Sequence, residues 1–88
     1  MIRYNPVFKQ DLKEELRKLL DKNKYSFIIN KKQSTLHCFV DNIINKLFYE
    51  SDNSLIIKNI PLKEQNTFLK LLNSDLNIQS TKNFLKII

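Results

Sequence analysis

The chain has no glycine and no tryptophan, and only one cysteine, one histidine and two prolines in 88 residues. Each shortage removes a class of protein. Without glycine there is no phosphate-cradling loop of the P-loop or dinucleotide type, because those turns need backbone that approaches the phosphates without a side chain. A single cysteine, Cys38, excludes an internal disulfide and fits a reducing compartment. One histidine and one cysteine cannot assemble a zinc site. No apolar run approaches the roughly 18 residues that would span a bilayer. The opening "MIRYNPVFKQDLKEEL" has no long apolar stretch ahead of a small-residue cleavage site, so it does not read as a signal peptide. Its acids Asp11, Glu14 and Glu15, with Asp21 close behind, argue against an uncleaved transit peptide.

Catalysis finds little material. His37 and Cys38 are adjacent, so their side chains diverge by roughly 100° on a helix and face opposite sides of a strand. A nucleophile needs its base within hydrogen-bonding reach, and this pair does not supply one unaided. Cys38 is expected to be a small buried or half-buried filler. Glu14 and Glu15 read as helix cap and surface charge. The expectation is a protein that is not an enzyme, with no cofactor and no metal.

Hydrophobic residues make up 42% of the chain, mostly Ile and Leu with six Phe and three Tyr, which suits one globular domain over residues 1–88. Such a domain buries about two thirds of the surface its unfolded chain exposes. Asparagine is abundant, and it tolerates positive φ better than any residue but glycine. Asn23, Asn30, Asn53, Asn73 and Asn77 are therefore the expected turn markers. Heavy use of Lys, Asn and Ile, whose codons are rich in A and T, points to an AT-biased genome, as in organelles, reduced parasites, symbionts and some phages.

The first helix is expected from Asp11, capped with Glu14 three residues on, through to about Lys22; Leu12, Leu16, Leu19 and Leu20 form its apolar stripe. Pro6 makes the segment before it extended. "KYSFIIN" reads as a strand with Tyr25, Phe27 and Ile29 on one face. Val40, Ile43, Ile44, Leu47 and Phe48 mark a second helix. The stretch before them, residues 35–40, fits either an extension of that helix from a Ser34 cap or the second strand of a hairpin; Leu36 lies on the helical stripe and favours helix. "SLIIKNI" is the next strand, and Pro61 opens a third helix with Leu62, Leu69, Leu72 and Leu76 inward. "NSDLNIQS" breaks that helix and "TKNFLKII" closes as a strand. The order α-β-α-β-α-β predicts an α+β fold, a small three-stranded sheet with helices packed on one face. The strands near 25–30 and 54–60 are expected side by side and parallel, joined by the second helix as a right-handed crossover. The expected core is Leu16, Leu20, Phe27, Ile29, Val40, Ile44, Leu47, Ile57, Leu69 and Leu72.

The net charge is +6 and unevenly placed along the chain. Residues 1–32 hold nine of the fifteen basic groups against four acids. Arg17, Lys18, Lys22, Lys24, Lys31 and Lys32 face only Asp21 in that stretch. Such a patch attracts phosphates or acidic protein surfaces, or is a solvated surface that keeps the chain soluble. Tyr25 and Phe27 offer rings for base stacking, but their strand has one apolar face to bury and core is the better reading.

"LLDKNKYSFIINKKQSTLHCFVDNIINKLF", Leu19 to Phe48, resembles a segment of the ribosomal large-subunit protein twenty-three family. The shared features are Leu19–Leu20, Asn23–Lys24, the Tyr25-x-Phe27 strand, the Lys31–Lys32 turn and a helix ending in Leu47–Phe48. "RYNPVF" is similar to the short basic and apolar opening segment of plastid members, and Lys82, Phe84, Leu85, Lys86 and Ile87 are similar to the family's closing strand. Asn59 stands where the family often has Asn. The chain departs from the family in three places. Its turn after the first strand is longer, and its second helix begins with His37, Asp41 and Asn42 instead of lysines. "PLKEQNTFLKLLNSDLNIQS" replaces a basic, Gly-rich hairpin. The resemblance implies an rRNA-binding structural protein of the large ribosomal subunit near the polypeptide exit, intracellular, in a reduced organellar (plastid or mitochondrial) or parasite version, with neighbouring ribosomal proteins as further partners. Its RNA-binding residues would be Arg17, Lys18, Lys22, Lys24, Lys31, Lys32, Lys82 and Lys86. The alternative is a small phage- or plasmid-type interaction module, an inhibitor that binds an acidic protein surface. Neither involves a membrane.

Overall fold

A computed structural model describes residues 6–21, 24–72 and 76–88, with residues 6–9 as backbone only. The elements run α1 (Pro6–Leu20), β1 (Ser26–Ile29), β2 (Lys32–Ser34), α2 (Leu36–Phe48), β3 (Leu55–Ile60), α3 (Leu62–Leu72), β4 (Ile78–Thr81) and β5 (Asn83–Ile87). The class is α+β, but the sheet has five strands, not the three expected. Their order is β2-β1-β3-β5-β4 and every neighbouring pair is antiparallel.

The expected parallel pairing of the strands at 25–30 and 54–60 is thereby corrected. β1 and β3 pair antiparallel, with Phe27 opposite Ile57 and Ile29 opposite Leu55. The cause is a hairpin between Ile29 and Leu36. Asn30 and Lys31 have φ of 51° and 69°, the two positive values that a two-residue type I′ turn requires. The chain reverses there, and Ile29 faces Lys32 across the turn. α2 is still a crossover between parallel strands, but it leaves from β2 and spans β1 to reach β3. A second split crossover follows, because α3 carries the chain from β3 over β5 to β4.

Both missed strands, "KQS" and "IQST", lie at the edges of the sheet. They are short and polar, as edges that resist pairing with another chain tend to be. The polar character that protects them also hides them from a search for alternating apolar residues.

α1 starts at Pro6, earlier than the expected Asp11; proline is favoured in a first helical turn because the N–H it lacks would have no partner there. Thr35, not Ser34, caps α2, its Oγ1 accepting the Cys38 N–H at 3.3 Å. Cys38 itself is exposed, contrary to expectation. α3 starts at Leu62, one residue after Pro61, whose carbonyl accepts the Gln65 N–H at 3.0 Å.

α2 and α3 lie on one face of the sheet, and α1 packs against both. The core joins Leu12, Leu16 and Leu20 of α1, Phe39, Val40, Ile43, Ile44 and Phe48 of α2, and Phe68 and Leu72 of α3 to Phe27, Leu55, Ile57, Ile60, Leu85 and Ile87 of the sheet. Phe27 and Phe39 meet with ring centroids 5.1 Å apart at 44°, within the range of favourable aromatic pairs. Ile29, Leu47 and Leu69, expected in the core, are only partly buried, and Leu62 is half exposed. The inward stripe of α3 is Gln65, Phe68 and Leu72.

Gln65 explains that rotation. Its side chain is fully buried, and its Nε2 donates to the carbonyls of Ile60 at 2.9 Å and Thr81 at 2.6 Å, while Oε1 accepts from Ser80 Oγ. One amide thus ties the end of β3 and the edge strand β4 to α3, with both of its own polar atoms paired.

Candidate nucleic-acid interface

Strand alternation sends one set of side chains under the helices and the other away from them. On β5, Leu85 and Ile87 are inaccessible while Phe84 and Lys86 are half-buried. On β3, Leu55 and Ile57 are buried, Ile56 is half-buried and Lys58 is exposed. One row across the outward face reads Gln33, Ile28, Ile56, Lys86, Gln79, and the next reads Ser26, Lys58, Phe84, Thr81. None of these side chains is buried, and among the described residues no helix packs on this face.

A bulge ends the face at one side. The register shifts between Lys58 and Ile60, and Asn59 has φ of 67°. One extra residue reverses the facing of all that follow, so Ile60 turns back into the core although plain alternation would place it outside. Asn59 Nδ2 donates to the Lys24 carbonyl at 3.3 Å, which holds the approach to β1 against the bulge.

At the opposite end, asparagines fasten the hairpin. Asn30 N–H donates to the Ser54 carbonyl, and Asn30 Oδ1 accepts the Ser54 N–H, each at 2.9 Å. Asn30 Nδ2 donates to Asn53 Oδ1 at 2.9 Å, Asn53 Nδ2 to Asn42 Oδ1 at 2.6 Å, and Asn42 Nδ2 to the Cys38 carbonyl at 2.9 Å. The basic turn is therefore fixed to α2 and to the start of β3.

Charge divides by layer and not by thirds of the chain. From β1 to β2, along β3 and from β4 to Ile88, the ionisable side chains are Lys31, Lys32, Lys58, Lys82 and Lys86, with no Asp or Glu. The helices are mixed. Lys13 of α1 pairs with Asp41 of α2 at 3.3 Å, both partly or largely exposed, and Glu64 and Lys63 are neighbours on α3.

The basic residues singled out from the sequence do not form one cluster. Arg17 and Lys18 lie in the last turn of α1, on the helical side; Arg17 Nε is buried with no hydrogen-bond acceptor among the described residues. Lys22 lies outside the described residues. Lys24 and Lys82 are exposed at the end of the sheet near the bulge. Lys31 and Lys32 are exposed at the other end, with the length of β1 between them and Lys24, about 20 Å at strand rise. Lys86 belongs to the open face.

Sequence reasoning missed Lys58, Phe84 and Ile56 as members of this face, whereas alternation along the first strand already sets Ile28 opposite Tyr25, Phe27 and Ile29. The signal was present in "NFLKI", where Phe and Lys alternate with Leu and Ile. Tyr25 and Phe27 go to the core side, and burial, with Glu64 nearby, raises the Tyr25 phenol above its ordinary value.

No group of His, Cys, Asp and Glu suited to a metal is found among the described residues, and no described helix is long and apolar enough to cross a membrane. Comparison with family models, curated proteins and solved structures finds no match to this chain.

Proposed function

We propose that this protein binds RNA through the open face of its sheet and the lysine-bearing turns at either end, as a structural component and without catalysis. The observation that carries this reading is the sheet layer itself, which bears Lys31, Lys32, Lys58, Lys82 and Lys86 and no Asp or Glu. A surface of one sign attracts a polyanion and gains by releasing its counterions. Lys58 and Lys86 stand on a rigid strand pair, and the two turns extend the cationic track beyond each end of the face.

The narrower role, a place in the large ribosomal subunit against rRNA and neighbouring proteins, rests on the short motifs shared with the protein twenty-three family. The chain's antiparallel β1–β3 pairing offers that role no further support. Binding of an acidic protein by the same face is the competing reading, favoured by the apolar Ile28 and Ile56 among the cations.

Filter binding of total cellular RNA across a salt series tests the proposal. Affinity should fall with salt, and Lys58→Ala with Lys86→Ala should flatten the slope by roughly 1 for each lost phosphate contact. Wild-type protein that retains no RNA at low salt refutes the reading. Cosedimentation with large ribosomal subunits tests the narrower role separately.

A further inference from the structure

Resting on that reading, we infer that the open face takes single-stranded RNA, stacking a base on Phe84 between Lys58 and Lys86. Phe84 lies directly across from Lys58 on β3, and Lys86 follows it two residues along β5 on the same face. Directly opposed residues have Cβ atoms about 4.5–5.5 Å apart and diagonal ones about 7–8 Å, so both ammonium groups can reach phosphates on either side of a base lying on the ring. Ile56 sits across from Lys86, with Ile28 beside it. The centre of the face is thus apolar and its surroundings are cationic or amide-bearing.

Such a surface discriminates between forms of RNA. A duplex keeps its bases stacked within and presents phosphates and sugars, which would lose water against Phe84, Ile28 and Ile56 with no hydrogen bond in return. A single strand has base faces to offer, and stacking on an aromatic side chain is indifferent to sequence. Because Phe84 is the only ring on the face among the described residues, one stacked base with the aliphatic pair beneath its neighbour is the expected arrangement. Gln33, Gln79, Ser26 and Thr81 supply donors and acceptors at the margin.

The chain has no tryptophan, so Phe84→Trp places its sole tryptophan at the proposed stacking position. The probes are a short oligouridylate and a blunt RNA duplex of matching length, with polyglutamate as a non-nucleic polyanion. Oligouridylate should quench the tryptophan and bind more tightly than duplex. Phe84→Leu should weaken oligouridylate binding about tenfold and leave duplex binding unchanged, with its thermal unfolding checked because the ring is half-buried. Equal affinity for both RNAs with no quenching overturns the stacking inference while the RNA reading stands. Polyglutamate binding without RNA binding overturns both and favours an acidic protein partner.

Discussion

Residues 84 to 87 alternate between the two sides of the sheet. Leu85 and Ile87 are inaccessible beneath the helices, whereas Phe84 and Lys86 look away from them and stay half-buried. The same alternation on β3 separates Leu55 and Ile57 from Ile56 and Lys58. One side therefore carries the stability of the fold. The other is free to hold apolar groups and lysines that no element of the described chain requires. The difference teaches where to look for function in a chain without a catalytic motif: on the side whose composition packing does not explain.

The comparison breaks most visibly if the two sides cost the same to truncate. Phe39→Ala, beneath the helices, should destabilise by about 3–5 kcal/mol in chemical denaturation, whereas Ile56→Ala on the open side should cost less than about 1 kcal/mol. Similar losses would mean that something covers the open side. Next in size is Gln65→Ala, which strands the Ile60 and Thr81 carbonyls beside a cavity. It should cost about 1–3 kcal/mol and increase hydrogen exchange in β4 more than in β1.

Lys31→Gly sharpens the contrast, because stability and binding should move in opposite directions. At φ of 69° lysine is strained where glycine is not, so unfolding should become harder by about 0.5–1 kcal/mol. The lost charge should lower the salt slope of RNA binding by roughly 1. The smallest effect concerns Tyr25 on the core side. Burial, then Glu64, raises its phenol above the ordinary 10.0, so the folded state disfavours the phenolate. The associated stability is intact below pH 10 and is lost as pH rises through the raised value. Tyr25→Phe should therefore unfold less steeply above pH 10 than the wild type in a pH series of thermal melts.

What was legible in the sequence follows from how each residue is used. The stripe of Val40, Ile43 and Ile44 announced α2, and the apolar runs of β1, β3 and β5 announced the strands that fill the middle of the sheet. β2 and β4 stayed hidden because an edge strand needs no apolar face, and missing β2 alone reversed the expected direction of pairing. The stripe of α3 was misplaced because a fully bonded Gln65 occupies a core position that a search for leucines passes over. Among the asparagines, Asn30 and Asn53 do fasten a turn, but of these two only Asn30 is left-handed. The further left-handed positions fall on Lys31 beside it and on Asn59 and Asn83, the last two inside segments that read as strand. Asn23 and Asn73 lie outside the described residues. Lysines were counted along the chain, where Arg17 and Lys18 seemed to join Lys31 and Lys32. The layers of the fold separate them and bring Lys58 to Lys86 instead.

β3 stands between two hairpins that are each closed by a two-residue turn, β1–β2 on one side and β4–β5 on the other. Hairpins of that kind form locally within microseconds, while β3 must be brought to both through helical connections. We expect the order of assembly to be written in this arrangement, with the central strand as the last common piece and the step that commits the chain. Ile57→Val should then act mainly on the folding rate, and Ile78→Val on the edge mainly on the unfolding rate, in stopped-flow chevrons. The reverse partition would place the commitment in the hairpins.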